Sequence, residues 1–261
     1  MLRPTAPGAA DVLQTACWPL LPYANRIALG RFRFEARDVA LPRNFGDHPH
    51  SLHGVGWKTA WEVAACTASS ATLAHRHPGG AAWPWRYAAT QAIDLDGDGL
   101  TILLQLVNED DAAMPASLGL HPYFPVDETS RLRFDAAETW HTDDGQLPTH
   151  AERGGGLDRW RAGAPATGPV LVDHCHAGWT GEATVTHHGQ ATRMTARGAT
   201  FLHVHAPPGR DFVGIEPVTA MPDAVNRQEP RDRTGLRILA PGESMALSMR
   251  IERKPLAAVA T

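Results

Sequence analysis

The chain has 261 residues and a formal net charge of −4, and its basic side chains are scattered along the sequence. This pattern excludes the basic surface that nucleic acids and anionic membranes require, so the expected partner is a small and roughly neutral molecule. The length suits one large domain, and we expect residues 1–261 to form a single unit.

The three cysteines, Cys17, Cys66 and Cys175, are far apart and include no CxxC pair. An odd number at these spacings argues against a disulfide framework and against a structural zinc site. The sequence has no apolar run of membrane-spanning length, and residues 1–26 lack the basic start and apolar core of a signal peptide. We therefore expect a cytoplasmic protein in a reducing compartment.

Short segments with alternating or β-rich patterns, separated by Gly, Pro, Asp and Asn, fill most of the chain. The clearest ones, in chain order, are residues 31–41, 85–110, 183–197, 200–207 and 245–253. Within two of them, DGDG (96–99) and HHGQ (187–190) predict hairpin turns, because these residues accept the positive φ of tight turns. Helical periodicity does not extend beyond about two turns. The sequence predicts an all-β protein, a large antiparallel sandwich of two packed sheets.

Two stretches are predicted to lack regular structure. Residues 142–169 are dense in Gly and Pro, which indicates a long loop that is disordered or lies over a functional face. The tail after Arg253, with the sequence KPLAAVAT, is expected to fray. Neither stretch carries a motif that identifies a ligand.

The stretch NFGDHPHSLHG, residues 44–54, holds His48, His50 and His53, and it follows the motif PYANRI with Asn25 and Arg26. A fixed arginine offers several donors in one plane, which suits hydroxyls or carboxylates, although a purely structural role stays open. His-x-His on a strand points both imidazoles to one face and suits a metal, a sugar or neither. A metal site would also need a carboxylate shortly after the pair, and SLHG has none, so we predict no metal here.

Two further motifs place a polar side chain at the end of an apolar strand. In LGLHPYFPV, residues 118–126, the proline after His121 removes a backbone donor and presents the imidazole at a strand end. In DFVGIEPVTAMPDAVNR, residues 211–227, the apolar strand FVGI leads directly into Glu216. A partly buried carboxylate has a raised pKa, which suits a general base. A buried structural histidine and a surface carboxylate are the alternative interpretations.

Taken together, YANRI, HSLHG, GLHPYF and GIEPVTAMPDAVN occur in an order and approximate spacing that resemble those of the aldose 1-epimerases, or galactose mutarotase-like proteins. The resemblance extends from about Pro19 to Glu252. It implies a large antiparallel β-sandwich whose open concave sheet binds a sugar. It also implies that the α and β anomers of an aldose are interconverted without a metal ion or an organic cofactor.

The resemblance implies that Glu216 is the general base that removes the proton from the C1 hydroxyl and that His121 is the general acid that protonates the ring oxygen. Ring opening requires one proton to leave O1 while another reaches O5, and reclosure after rotation about C1–C2 reverses both transfers. One carboxylate and one imidazole on opposite sides of the anomeric centre suffice, since each transfer contributes about 10²- to 10⁴-fold. We expect a protonated His121 and an ionised Glu216 in the resting enzyme.

The substrate-binding residues implied by the resemblance are Asn25, Arg26, His53 and Asp173. The match around Asp173, in VLVDHCHAGWTG, is looser, and His174 and His176 could share or replace its role. An aspartate at this position would bridge two adjacent hydroxyls of the sugar.

The resemblance also separates the three histidines of residues 44–54. We expect His53 to contact the sugar, His50 to support it from behind, and His48 to face solvent. The candidates for an aromatic wall against the sugar ring are Trp57, Trp61 and Trp179.

Members of this family usually carry a longer stretch ahead of YANRI, whereas only 22 residues precede Tyr23 here. The sandwich is therefore expected to lack its first strands and to expose a sheet edge. An uncovered edge pairs readily with another chain, so we predict a raised tendency to form a homodimer through that edge.

Three alternative functions remain open. A hexose-6-phosphate 1-epimerase needs an arginine cluster at the pocket mouth, for which Arg26, Arg31, Arg43 and Arg76 are available. A non-catalytic sugar-binding module on the same fold would not need an acid–base pair. A metal-dependent β-sandwich enzyme is the least favoured of the three.

Overall fold

The computed structural model describes residues 1–154 and 156–255. The strands are β1 (Pro19–Leu20), β2 (Arg26–Ile27), β3 (Arg31–Phe34), β4 (Arg37–Ala40), β5 (Ser51–Leu52), β6 (Glu62–Cys66), β7 (Ser70–Pro78), β8 (Arg86–Leu95), β9 (Gly99–Asn108), β10 (Met114–Ala116), β11 (Gly119–Leu120), β12 (Tyr123–Pro125), β13 (Arg131–Phe134), β14 (Glu138–Thr142), β15 (Pro148–Arg153), β16 (Ala164–Pro165), β17 (Val172–Ala177), β18 (Glu182–His187), β19 (Gln190–Arg197), β20 (Phe201–Ala206), β21 (Phe212–Val218), β22 (Arg237–Leu239) and β23 (Ser244–Pro255). The helices are α1 (Asp158–Ala162) and α2 (Arg231–Thr234), and 3₁₀ turns cover Val12–Gln14, Ala28–Gly30 and Ala224–Asn226. None of the described helices is long and apolar enough to cross a membrane.

Two large antiparallel sheets dominate the molecule. The first sheet has the order β1-β11-β21-β20-β17-β14-β15, with β12 also pairing β21, and the second has the order β16-β13-β18-β19-β23-β9-β8-β7-β6. Leu104 and Leu247 of the second sheet belong to the same buried cluster as Val204 and Ile215 of the first. Every second side chain of a strand faces the opposite sheet, which builds this shared core. The prediction of an all-β sandwich is confirmed.

Both predicted hairpin turns are present. DGDG joins β8 to β9, and there Asp96 Oδ1 accepts hydrogen bonds from the backbone N–H groups of Asp98 and Gly99. HHGQ joins β18 to β19, and there His188 and Gly189 take positive φ values of 48° and 69°. Residues that tolerate positive φ therefore form the HHGQ turn, whereas no residue of DGDG has positive φ and that turn is held by the Asp96 side chain.

The prediction of one long loop over residues 142–169 is wrong. β14 ends inside this range, and β15, α1 and β16 all lie within it. Trp160 of α1 is buried and stacks on Phe134 of β13, with ring centroids 5.2 Å apart, so the helix is fixed to the second sheet. The glycines and prolines mark short connections between these elements rather than one continuous loop.

The ends of the chain and of the sheets also bear on the predictions. β23 continues through Lys254 and Pro255, so this part of the tail is not frayed, and residues 256–261 lie outside the described residues.

β1, at one edge of the first sheet, is buried. β6, at one edge of the second sheet, is exposed along its length, and Val63 within it is 61% exposed. Homodimer formation through an exposed edge stays a prediction.

Candidate active site

Three neighbouring strands of the first sheet bring polar side chains together on one face. Asp173 of β17 lies opposite His205 of β20 in the register. His203 of β20 lies opposite Glu216 of β21. Side chains two residues apart on a strand share a face, so these four groups form one polar patch.

Two residues with left-handed backbone fix the loops beside this patch. Asn25 and His53 have φ values of 60° and 57°. The N–H of Asn25 donates to His53 Nδ1 at 3.2 Å, and the N–H of His53 donates to the Asn25 carbonyl at 2.7 Å. Gly54 follows directly, where a Cβ would lie 2.2 Å from the Leu21 carbonyl oxygen. The motifs YANRI and HSLHG are therefore held together by these two hydrogen bonds.

His121 and Glu216 are in direct contact. His121 Nε2 lies 3.1 Å from Glu216 Oε1, and both side chains are buried. The N–H of His121 donates to the Trp18 carbonyl at 2.9 Å, and the Trp18 indole stacks on the imidazole with centroids 4.4 Å apart. A Cβ at Gly214 would lie 3.1 Å from His121 Cε1, so the small residue leaves room for the ring. These contacts hold the imidazole against the carboxyl group.

Burial sets the protonation of this pair. It raises the pKa of Glu216 well above the usual value, and the charge of Asp173 raises it further. Burial lowers the pKa of His121 well below the usual value, and the neighbouring imidazoles, His53 first, lower it further. Both shifts favour a neutral carboxylic acid beside a neutral imidazole. These directions run against the ion pair expected for the resting enzyme, and the placement of the two groups on opposite sides of the reacting centre stays a prediction.

Asp173 is a buried carboxylate at the centre of a second network. Its Oδ1 accepts a hydrogen bond from His203 Nε2 at 2.6 Å and lies 3.5 Å from His205 Nδ1. Its Oδ2 accepts a hydrogen bond from Arg26 Nη2 at 2.8 Å. Burial acts to raise the pKa of Asp173, but the two imidazoles and the Arg26 charge hold that pKa well below the usual value. The carboxylate is thus ionised and fixed in orientation.

One cavity of about 270 Å³ brings the predicted site together. Its lining includes all six predicted residues, namely Asn25, Arg26, His53, His121, Asp173 and Glu216. Trp18, Trp57 and Tyr123 supply aromatic walls, whereas Trp61 and Trp179 lie elsewhere. The Arg26 and Asp173 charges cancel, so the cavity has little net charge. Aromatic walls with a few fixed polar groups suit a pyranose ring.

The three histidines of residues 44–54 have three different environments. His53 lines the cavity. His50 is buried, and its Nδ1 accepts a hydrogen bond from the N–H of Leu29 at 3.0 Å, so it supports the loop. His48 is partly exposed and lines the cavity as well, so it contacts both solvent and the candidate site. The N–H of His50 donates to His48 Nδ1 at 3.2 Å, which fixes the position of that ring.

Sequence reasoning missed Gln146, His203 and His205 as cavity residues. Gln146 lies in the turn between β14 and β15 with a φ of 63°, and its side-chain oxygen accepts a hydrogen bond from Arg26 Nη2. No sequence signal marks this residue. The alternation in FLHVHAP, however, places His203 and His205 on one face of a strand and could have identified both.

His174 and His176 do not share the role of Asp173. Side chains alternate along β17, so these two histidines lie on the opposite face of the strand. The His176 ring is 4.8 Å from Phe134 of the second sheet, measured between centroids, which places it in the space between the sheets. The possibility that they replace Asp173 is therefore wrong.

The arginine cluster that a sugar phosphate needs is not assembled by the described residues around this cavity. Of the four arginines considered, Arg26 is the one that lines it, and Arg26 is paired with Asp173. Arg76 pairs instead with Glu109 at the surface, with Nη1 2.7 Å from Oε1.

Within residues 1–154 and 156–255, one group of side chains has potential metal-ligand atoms within 4.8 Å of one another, and it consists of Asp127, His187 and His188. The group lies at the turn between β18 and β19. It includes none of the histidines that line the cavity.

Two packed antiparallel sheets, with a buried carboxyl–imidazole pair on the outer face of one of them, define a β-sandwich of the galactose mutarotase-like class. The sequence model of the aldose 1-epimerases matches residues 4–252, and the chain belongs to the aldose 1-epimerase family. The predicted family is thus confirmed.

Several known proteins are similar to this chain. The uncharacterized protein YphB of Escherichia coli K12 is 31% identical over 91% of this chain and 84% of its own length. A crystal structure from Escherichia coli K12, described as a candidate aldose 1-epimerase, has a TM-score of 0.87 at 28% identity and covers 98% of this chain and 89% of its own. A galactose mutarotase-like protein from Clostridium acetobutylicum has a TM-score of 0.80 at 18% identity, over 92% of this chain and 79% of its own, and shows the fold alone.

Proposed function

We propose that the protein is an aldose 1-epimerase that interconverts the α and β anomers of a free, uncharged monosaccharide. The observation that carries the proposal is the contact of 3.1 Å between His121 Nε2 and Glu216 Oε1 inside a cavity of about 270 Å³. Membership of the aldose 1-epimerase family supports the same reaction class.

The close contact suits the geometry of the reaction. O1 and the ring oxygen O5 of a cyclic aldose are bonded to the same carbon, so the groups that exchange protons with them must both lie within hydrogen-bond reach of this one centre. A carboxyl oxygen and an imidazole nitrogen in direct contact meet this requirement, and a sugar that enters between them replaces their mutual hydrogen bond with one bond to each oxygen.

The pair holds one transferable proton throughout the proposed reaction. For ring opening, ionised Glu216 takes the proton of O1, protonated His121 gives its proton to O5, and the C1–O5 bond breaks to leave an aldehyde. Both groups are then neutral, which is the state that burial favours in the free site. After rotation about C1–C2, the O5 hydroxyl attacks the other face of the aldehyde, and both protons return. Entry of the sugar therefore only has to move the shared proton from Glu216 to His121.

The remaining cavity residues are proposed to hold the sugar. Asp173 is ionised and accepts hydrogen bonds, so it suits two adjacent hydroxyls. Arg26 donates in one plane, and its Nε has no hydrogen-bond partner among the described residues. Asn25 and His53 lie beside them at the locked junction of two motifs. Fixed donors and acceptors of this kind lower the cost of orienting the substrate.

The proposal favours free aldoses over sugar phosphates because Arg26 is the single arginine among the described residues that line the cavity and is already paired. It involves no cofactor, since one carboxyl group and one imidazole can carry both proton transfers. A cytoplasmic location is part of the proposal and is supported by the three free cysteines.

Polarimetry of freshly dissolved sugars tests the proposed activity. The purified protein is expected to accelerate mutarotation of α-D-glucose or α-D-galactose, and to act less well on the corresponding 6-phosphates. No acceleration for any aldose would overturn the catalytic proposal and favour a sugar-binding module. Faster turnover of the 6-phosphates would overturn the proposed substrate class alone.

A further inference from the structure

A second and larger cavity, of about 760 Å³, lies on the other face of β17. Its walls come from the inner face of β14, β15 and β17, from α1, and from residues 163–172. β16 in this segment pairs with β13 at the edge of the second sheet, so the cavity opens between the two sheets. It shares no lining residue with the catalytic cavity, so it is a separate space.

Two buried imidazole nitrogens of the lining residues have no partner among the described residues. His176 is 1% exposed; its Nδ1 bonds Thr139 Oγ1 at 3.0 Å, while its Nε2 has no hydrogen bond. His174 Nδ1 is likewise buried and unpaired. Buried polar groups are nearly always hydrogen-bonded, because leaving them unpaired costs stability. These atoms are therefore available to hydrogen-bond a polar group of a bound molecule.

The charges around the cavity indicate the sign of that molecule. Arg159 lines the cavity with its guanidinium 4.2 Å from the centre of the Trp160 ring, and it forms no ion pair with any described carboxylate. Glu152, also in the lining, is hydrogen-bonded to His141, whose Nε2 lies 2.7 Å from Glu152 Oε2. The charged group left without a partner in the lining is thus the Arg159 guanidinium, which pairs most strongly with a carboxylate or a phosphate.

Apolar side chains at the rim indicate a second property of the molecule. Val170 and Leu171 line the cavity and are 72% and 39% exposed. Pro165 and Pro169 lie in the same wall. Large apolar side chains left in water beside a cavity suit a ligand that covers them.

We propose that this cavity binds a small organic anion that carries an apolar group. The anionic head pairs with Arg159 and accepts a hydrogen bond from His174, while the apolar group covers Val170 and Leu171. A metal ion fits less well, because no three His, Cys, Asp or Glu side chains among the described residues of this cavity have ligand atoms that all lie within 4.8 Å of one another, as those of Asp127, His187 and His188 do.

Isothermal titration calorimetry of the full chain with hexanoate and with hexyl phosphate tests the proposal. At least one of them is expected to bind at one site, whereas 1-hexanol, which lacks the charge, and acetate, which lacks the chain, bind much more weakly. The anion that binds distinguishes a carboxylate site from a phosphate site. If neither anion binds at millimolar concentration, or if 1-hexanol binds equally well, the proposal is wrong.

Substitutions at two exposed lining residues test whether the anion binds in this cavity, and they leave the core unchanged. Arg159→Gln is expected to weaken the anion roughly tenfold or more, because it removes a charge-assisted hydrogen bond. Val170→Ser is expected to weaken hexanoate but not acetate. Arg31→Gln, at an exposed arginine of β3, is the matched control and is expected to change nothing. Equal affinities for the Arg159→Gln and Arg31→Gln variants would overturn the assignment to this cavity.

Discussion

The two faces of β17 carry different kinds of polar site. On the face that lines the smaller cavity, Asp173 is ionised and its oxygens are paired with Arg26 and His203. On the face toward the second sheet, His174 and His176 have nitrogens without partners and lie beside a cavity almost three times larger, about 760 Å³ against about 270 Å³.

This difference shows how far a site is complete in the free protein. The Asp173 carboxylate is held in position by its neighbours before a sugar enters, whereas no such network holds His174 or Arg159 in the wider space. Two adjacent residues of one strand, Asp173 and His174, can therefore serve unrelated purposes, because alternation sends them to opposite faces.

The largest effect is expected from the acid–base pair. Glu216→Gln and His121→Asn should each lower the rate of mutarotation about 10²- to 10⁴-fold, because each removes one proton transfer. Polarimetry gives the rate, and circular dichroism checks that the fold is kept. Wild-type rates in either variant would end the assignment of roles, and the Glu216→Gln variant should still bind the organic anion in the second cavity.

Substitution of neighbours on β17 should separate the two faces. Asp173→Asn is expected to lower kcat/KM by roughly ten- to a hundredfold, because it removes a charged hydrogen-bond acceptor. His174→Gln, one residue further along the strand, should leave kcat/KM within about twofold of the wild type, since it points away from the catalytic cavity. Equal losses in both variants would contradict the separation of the faces.

The buried Glu216 should make the wild type less stable as the pH rises. Its pKa in the folded protein is raised well above 4.5, so above that pH the folded state keeps a proton that the unfolded state releases. The Glu216 contribution to the free energy of unfolding then falls by up to about 1.4 kcal/mol per pH unit until the folded pKa is reached, while the lowered pKa of buried His121 contributes a slope of the opposite sign near and below pH 6.5.

Glu216→Gln removes this dependence. The variant should melt at a higher temperature than the wild type at pH 7, and the difference should shrink toward pH 4.5. Thermal melts across this range measure the gap, and a gap that is constant with pH would show that the carboxyl group is not protonated in the folded protein.

The smallest effect is expected at Gln146. Its side chain is one neutral group beside Arg26, so Gln146→Ala should raise KM about two- to tenfold with little change in kcat. The size of the change should differ between glucose and galactose if Gln146 contacts the hydroxyl in which they differ. Initial rates over a range of sugar concentrations provide this measurement, and a fall in kcat without a change in KM would argue for a catalytic role instead.

Local patterns accounted for much of the fold. Alternation marked the long strands, and DGDG and HHGQ marked hairpin turns because their residues accept positive φ. The short elements within residues 142–169 were not predictable, since a helix of five residues such as α1 gains its stability from Trp160 packing against the second sheet.

The sequence predicted which residues form the candidate site, but it did not predict how their side chains are arranged. Ordered motifs identified Glu216, His121 and Asp173, and the cavity contains all of them. The motifs did not reveal that Glu216 and His121 touch, or that burial favours the neutral form of both groups in the free site. A pKa depends on burial and on every neighbouring charge, which are properties of the packed molecule.

The sequence by itself therefore determined the β-sandwich, the family and the candidate acid–base residues, because periodicity, turn chemistry and short motifs are local. Tertiary structure alone decided that His48 lies in the cavity, that Gln146 reaches Arg26, and that His174 and His176 face a second cavity. These outcomes depend on contacts between strands that are far apart in the sequence. The type of a single residue does not determine such contacts.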